Sequence, residues 1–114
     1  MTDEGLPDVI VSTKPKSREA TRTRRLPPYN VILENDDYHS FGFVVEVLRK
    51  VLGCSDERAF LLTHQAHTSG RAIIWTGPKE VAELKLEQVR SFQELRDDGN
   101  KFGPLGCSIE PAPG

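Results

Sequence analysis

The chain has no apolar run approaching the roughly 20 residues of a membrane span, so nothing in it asks for a bilayer. It also lacks a large charge excess: the formal net charge is −2, which gives no reason to expect nucleic acid as a partner. Cysteine is scarce. Cys54 and Cys107 do not have the spacing of a metal site, and neither has an adjacent base that would make it a nucleophile. The N-terminus carries Asp3, Glu4 and Asp8 and has no apolar h-region, so no secretory signal is expected. These absences point to two reduced thiols in a cytoplasmic protein, with a Cys54–Cys107 disulfide as the alternative. A phosphate-binding loop is missing as well. Gly103-Pro104-Leu105-Gly106 reads as a turn.

What remains is 114 residues, 37% hydrophobic and 28% charged, enough for one domain with a modest core. Residues 1–28 stand apart. They are rich in Thr, Ser, Pro and Arg, and Val9-Ile10-Val11 is their only aliphatic cluster. No period is sustained there, so a flexible N-terminal extension is expected. It carries a net +2 against −4 for the remainder, the pattern of a solvated tail or of an arm that docks elsewhere. Pro27-Pro28 makes a stiff, extended junction.

From Tyr29 onward the sequence reads as short elements. Tyr29–Leu33 is a strand. Ser40 caps a helix with apolar residues at Phe41, Val44, Val45, Leu48 and Leu52, and Gly53 ends it. Ser55 caps the next helix, whose first turn holds Asp56 and Glu57 and which runs to about Thr68. Ser69-Gly70 turns into the β-rich run Ala72-Ile73-Ile74-Trp75. Gly77-Pro78 opens a third helix, with Pro at its first position and a stripe at Ala82, Leu86, Val89 and Phe92. Asp97-Asp98-Gly99-Asn100 breaks that helix. Leu105–Ile109 forms a last strand, stopped by Pro111 and Pro113. The order β-α-α-β-α-β predicts an α+β domain over 29–111: a three-stranded antiparallel sheet covered on one face by three helices.

The chemistry concentrates where the first strand stops. Val31-Ile32-Leu33-Glu34 runs into Asn35-Asp36-Asp37-Tyr38, which places acceptor groups on a rigid strand end, where a cation would be held. Taken alone, the same residues read as a turn with capping acids. His67, near the end of the second helix, reads alone as a C-terminal cap. His64 and His67 lie three apart on one helical face, and with Asp36 they make only a weak case for a metal.

Taken together, the segment from Pro28 to Glu110 resembles the ClpS adaptor family. The carrying residues are Val31 through Tyr38, then Phe43-Val44, Val47-Leu48, Glu57-Arg58-Ala59, His67, Gly70 and Ala72-Ile73. Glu80-Val81-Ala82-Glu83, Lys85, Pro104-Leu105 and Cys107 complete it. The resemblance implies a non-enzymatic, monomeric adaptor without cofactor or metal. Such an adaptor binds the free N-terminus of a substrate protein and passes it to a Clp ATPase of the ClpA or ClpC type. It implies that Asn35, Asp36 and His67 accept hydrogen bonds from the α-ammonium. It implies an apolar pocket for the first side chain, built from Leu33, Phe41, Val44, Thr63, Ala66 and Leu105. It assigns Glu80 and Lys85 to contact with the N-terminal domain of the ATPase.

The pocket departs from the family pattern. Phe41 and Thr63 stand where methionine is common, Ala66 where Val is usual, and Ser40 replaces a proline. Thr63 and Ala66 are expected to deepen one side, and Phe41 to refill the pocket from the other, with Phe, Tyr, Trp and Leu favoured as first residues. Three rivals follow from the same residues. One is an interaction module like the C-terminal domain of the ribosomal stalk protein. Another is a small metal-dependent enzyme using His64, His67 and Asp36. The third is a paralogue of altered specificity.

Overall fold

The computed structural model describes residues 26–113, so the expected flexible extension falls, for residues 1–25, outside the described residues. Eight elements follow in order: β1 (Tyr29–Glu34), α1 (Phe41–Leu52), α2 (Asp56–Ser69), β2 (Arg71–Gly77), α3 (Lys79–Arg90), β3 (Glu94–Leu95), β4 (Lys101–Phe102) and β5 (Cys107–Pro111). The main sheet has the order β2-β1-β5, antiparallel throughout. The three helices and three-stranded antiparallel sheet are the α+β arrangement expected. The β3–β4 hairpin is an addition to it.

β1 is the central strand, and its residues Asn30 to Leu33 are all buried. Val31 and Leu33 face the helices and join Val47, Leu48, Ala59, Leu62, Ala82 and Val89 in one core. Ile32 points to the opposite face and is also fully buried. The register explains this. Arg71 lies opposite Glu34 on one neighbouring strand and Glu110 lies opposite Asn30 on the other. Their ion pair, 3.2 Å long, therefore arches over Ile32. On the same face Asn30 Oδ1 accepts from the Thr76 hydroxyl at 2.6 Å.

The helix ends follow their local signals. Ser40 and Ser55 accept from the N–H groups of Phe43 and Arg58, three residues on. Gly53 and Gly70 close the two helices with φ of 67° and 93°, a conformation that glycine adopts without a Cβ clash. Pro78 sits one position earlier than expected: its carbonyl accepts from Ala82 N–H at 2.9 Å, so it caps α3 instead of occupying its first position. The buried face of α1 is Val47, Leu48 and Val51, with Val44, Val45 and Leu52 at its margin. Phe41, placed on the stripe by its spacing, is exposed instead and packs on Phe60 with ring centroids 5.0 Å apart.

α3 stops at Arg90, earlier than the helix-breaking cluster at Asp97. Ser91 closes its last turn through both its hydroxyl and its N–H on Gln88 O. The chain then turns into the β3–β4 hairpin, and Asp97–Asn100 is the turn of that hairpin. Gly99 takes φ of 87° there, and Arg96 N–H donates to Asn100 O at 2.9 Å. The last strand begins at Cys107, not Leu105. Gly106 O accepts from Glu34 N–H at 2.8 Å, and Leu105 turns inward from the preceding loop. Pro111 is tolerated opposite Tyr29 because β5 is an edge strand. Pro28, assigned to the extension, is tied to the domain: its carbonyl accepts from Ala112 N–H at 2.8 Å.

Both cysteines are free thiols. Burial pushes the Cys107 thiol up to about 11, against the opposing pull of Arg90, so this sulfur stays protonated and inert. Gly77 has a steric reason to be glycine, since a Cβ there would overlap the Trp75 ring. Gly77→Ala is expected to lower stability by about 1–3 kcal/mol, read from thermal or urea unfolding. A loss within error would show that the indole moves aside freely.

Candidate functional site

Three chain segments are pinned together where β1 ends. Glu34 N–H donates to Gly106 O at 2.8 Å, and Asn35 N–H donates to Gly70 O at 3.0 Å. The strand end, the C-cap of α2 and the loop before β5 therefore hold a fixed relation. The next residues form a tight turn around one carboxylate. Asp36 Oδ1 accepts from Tyr38 N–H and His39 N–H, both at 2.9 Å. The His39 ring Nδ1 lies 3.1 Å from Oδ1 and 3.0 Å from Oδ2. Burial is the largest single influence on the Asp36 carboxyl and raises it. The hydrogen bonds from His39 and Tyr38, with the charge of His39, together outweigh burial and hold it below the ordinary 3.8.

This turn rims a cavity of about 300 Å³. All nine residues that the resemblance assigns to the amine site and pocket line it: Asn35, Asp36 and His67 with Leu33, Phe41, Val44, Thr63, Ala66 and Leu105. They come from four places, namely the end of β1, the start of α1, the last turns of α2 and the loop before β5. Their burial divides them. Leu33, Thr63, Ala66 and Leu105 are buried, Val44 is half-buried, and Asn35 and His67 are exposed. Apolar floor and polar rim suit a ligand with an apolar body and a donor head. The Thr63 hydroxyl is already committed, donating to Ala59 O at 2.8 Å within its own helix.

Glu34 and Asp37, part of the acidic strand end but given no contact to the amine, also line the cavity, as does His39, which was not singled out from the sequence. His39 sits one residue past the acidic signature, and its spacing of three from Asp36 was the available signal. A second set of residues, invisible to local reading, braces the turn from the β3–β4 hairpin. Glu94 Oε1 accepts from Ser40 N–H at 2.9 Å, and Arg96 donates to Tyr38 O. The Arg96 guanidinium lies 4.3 Å over the Phe102 ring. Burial is again the largest influence on Glu94 and raises its carboxyl, but the Ser40 contacts and the Arg96 charge bring it below the ordinary 4.5.

Glu80 and Lys85 both lie on α3. Glu80 is exposed in the first turn. Lys85 is half-buried, with Nζ 3.4 Å from Val51 O at the end of α1 and 5.5 Å over the Trp75 ring. It therefore helps join α3 to α1 and β2. The His64 ring stacks against Phe60 at 6.3 Å. Among the described residues no three His, Cys, Asp or Glu side chains converge as metal ligands. No helix among them is long and apolar enough to cross a membrane.

The lowered Asp36 carboxyl links this turn to stability. A carboxyl depressed on folding stabilises the native state above its unfolded value, near 3.8, and that contribution is lost as pH falls through the lower folded value. The stability difference between the protein and Asp36→Asn, measured by urea unfolding, is expected to be constant near neutral pH and to shrink below pH 3.8. A difference independent of pH down to acid unfolding would contradict it.

An acidic strand end, a helix-borne histidine and an apolar cavity thus meet between two helices and a three-stranded sheet. Comparison with known proteins gives the chain's family. The model of the ATP-dependent Clp protease adaptor protein ClpS matches residues 24–108. The ClpS adapter of Thermosynechococcus vestitus is 40% identical over 79 residues, covering 68% of this chain and 84% of that protein. That of Aromatoleum aromaticum is 39% identical over 92 residues, covering 81% and 85%. Among solved structures, Agrobacterium tumefaciens ClpS2 bound to L-phenylalaninamide superposes with a TM-score of 0.67 at 31% identity, covering 77% of this chain and all of that one. The chain belongs to the ClpS family of Clp protease adaptors.

Proposed function

We propose that this protein is a non-enzymatic adaptor. It binds the free α-amino group and the large hydrophobic first side chain of a substrate protein and delivers that protein to a Clp ATPase. The observation that carries this reading is the single cavity in which Asn35, Asp36 and His67 rim an apolar floor. An α-ammonium has three donors and is best met by three acceptors. The Asn35 amide oxygen, the Asp36 carboxylate and an unprotonated ring nitrogen of His67 supply them. Asp36 Oδ1 already accepts two backbone N–H groups, whereas Oδ2 meets only the His39 ring and keeps a lone pair for the ligand. Leu33, Phe41, Val44, Thr63, Ala66 and Leu105 then enclose the first side chain. Burying a Leu or Phe there contributes about 1.5–3 kcal/mol. The ligand of the Agrobacterium relative has this chemistry, a free amine beside a benzyl group.

Delivery would use a separate surface. The exposed Glu80 lies on α3, the helix that would face the N-terminal domain of a ClpA- or ClpC-type ATPase, with Lys85 beside it. Residues 1–28 would serve the hand-over, and 29–111 would act as the adaptor domain, monomeric and cytoplasmic.

The test is a fluorescence-anisotropy titration with a labelled peptide beginning with Phe, beside its N-acetylated twin and a panel varied only at residue one. Binding of the free amine alone is expected, because acetylation removes the charge and most of the donors. Phe, Tyr, Trp and Leu are expected to lead the panel. Equal binding of the acetylated peptide, or tight binding of Val and Ile with poor binding of Phe, would overturn the reading.

A further inference from the structure

His39 is not among the residues that would touch the ligand amine, yet both of its ring nitrogens are engaged. Nδ1 lies 3.0 Å from Asp36 Oδ2, and Nε2 lies 2.6 Å from Gly103 O, sixty-four positions along the chain. The side chain is only 4% exposed, and the Phe43 ring stacks on it at 5.2 Å. A carboxylate and a backbone carbonyl are both acceptors without a proton to give. A neutral imidazole has one N–H and one lone pair, so it satisfies one of these contacts and sets a lone pair against the other. Two N–H groups satisfy both.

We infer that His39 is a positioning residue for the amine site. Donating through both ring nitrogens as the imidazolium, it fixes the Asp36 carboxylate and ties it to the Gly103 loop that carries the pocket residue Leu105. The inference rests on Asp36 being the amine's carboxylate partner. It explains how a turn with an exposed tip presents one oxygen in a constant place. Tyr38 and His39 N–H hold Oδ1, and the ring prevents rotation about the remaining bond.

The charged groups around His39 are of both signs. Asp36 faces it from its own turn. From the β3–β4 hairpin, Glu94 and Arg96 grip the residues on either side of it, Ser40 and Tyr38. Asp37 and, across the cavity on α2, His67 line the same space. The buried cation is thus offset by the carboxylate it positions.

Long-range 1H–15N spectra of the histidine rings test the state directly. At neutral pH, protons on both nitrogens of His39 are expected, and a single ring N–H would overturn the inference. The Asp36 carboxyl 13C signal, followed in an acid titration, should shift its midpoint upward in His39→Leu, and an unmoved midpoint would also overturn it. These two readings need no peptide, so they stand even if the wild-type protein ignores a Phe peptide and the amine-binding reading fails.

If the wild type does bind, His39→Leu should weaken binding of the free-amine Phe peptide by about 10- to 100-fold, the worth of a charge-assisted hydrogen bond. His39→Gln keeps one donor and should recover part of that loss. In the Asp36→Asn background the same His39→Leu change should matter by less than about twofold, because its route through the carboxylate is gone. A loss of equal size in both backgrounds would make His39 a packing residue only and overturn the inference. Should His39→Leu not fold, His39→Gln takes its place in the titration and in the cycle.

Discussion

Asp36→Ala should weaken binding of a peptide with an N-terminal phenylalanine by about 2–5 kcal/mol, a loss of about 30- to 5,000-fold. The substitution removes the carboxylate from between an amide and an imidazole and leaves a desolvated ammonium with neutral partners. It also releases two backbone N–H groups, those of Tyr38 and His39, that Asp36 now satisfies. Asp36→Asn separates the two effects. An asparagine keeps an oxygen for the turn but not the charge, so its turn should hold while amine affinity falls nearly as far. Anisotropy titration measures the affinities, and thermal unfolding reports the turn. Near-native affinity in Asp36→Ala would mean that Glu34 or Asp37, which line the same cavity, carry the amine instead.

Leu48→Ala is expected to cost about 2–5 kcal/mol of stability, out of a total near 5–15 for a domain of this size. Leu48 is fully buried in α1, and the core around it comes from the sheet and both other helices. Neighbouring elements cannot collapse around the lost methyls without pulling α1 off the sheet. The change reaches the site as well. Val44, one turn earlier on the same helix, lines the cavity, so a loosened α1 should lower peptide affinity even where the variant is folded. Urea unfolding followed by the fluorescence of Trp75, the one tryptophan, measures the loss. A cost under about 1 kcal/mol would show that the core repacks around the gap.

Much of this molecule was readable locally. Ser40, Gly53, Ser55 and Gly70 mark their helix ends because each signal involves hydrogen bonds or backbone angles within a few residues. The apolar run Val31–Leu33 announces a strand, but its place at the centre of the sheet and its burial on both faces came from the tertiary structure. The signature at 35–38 and the distant His67 carried a family resemblance, and it was that resemblance that named the nine residues now lining one cavity; their spacing alone did not say that α2 and β1 would meet there.

Other features depend on partners far along the chain. The two-residue strands β3 and β4 have too little sequence to carry a period, and they exist because they pair with each other and brace the 36–40 turn. Leu105 reads as strand but lies in the loop before β5, buried against the cavity. Phe41 satisfies the helical stripe yet faces the cavity mouth, since the buried face of α1 is set by where the sheet lies and not by spacing alone. Lys85, assigned from the resemblance to an outward contact, is half-buried because folding brings Val51 O and the Trp75 ring beside it. His39 shows the limit most sharply. Its neighbour Asp36 is visible in the sequence, but the carbonyl of Gly103 that completes its geometry arrives only on folding. The amino-acid sequence determined the three helices, the three strands of the main sheet and the serine and glycine signals at the ends of α1 and α2. The tertiary structure alone decided which acceptors surround which donors, because those contacts join residues whose separation along the chain carries no local signal.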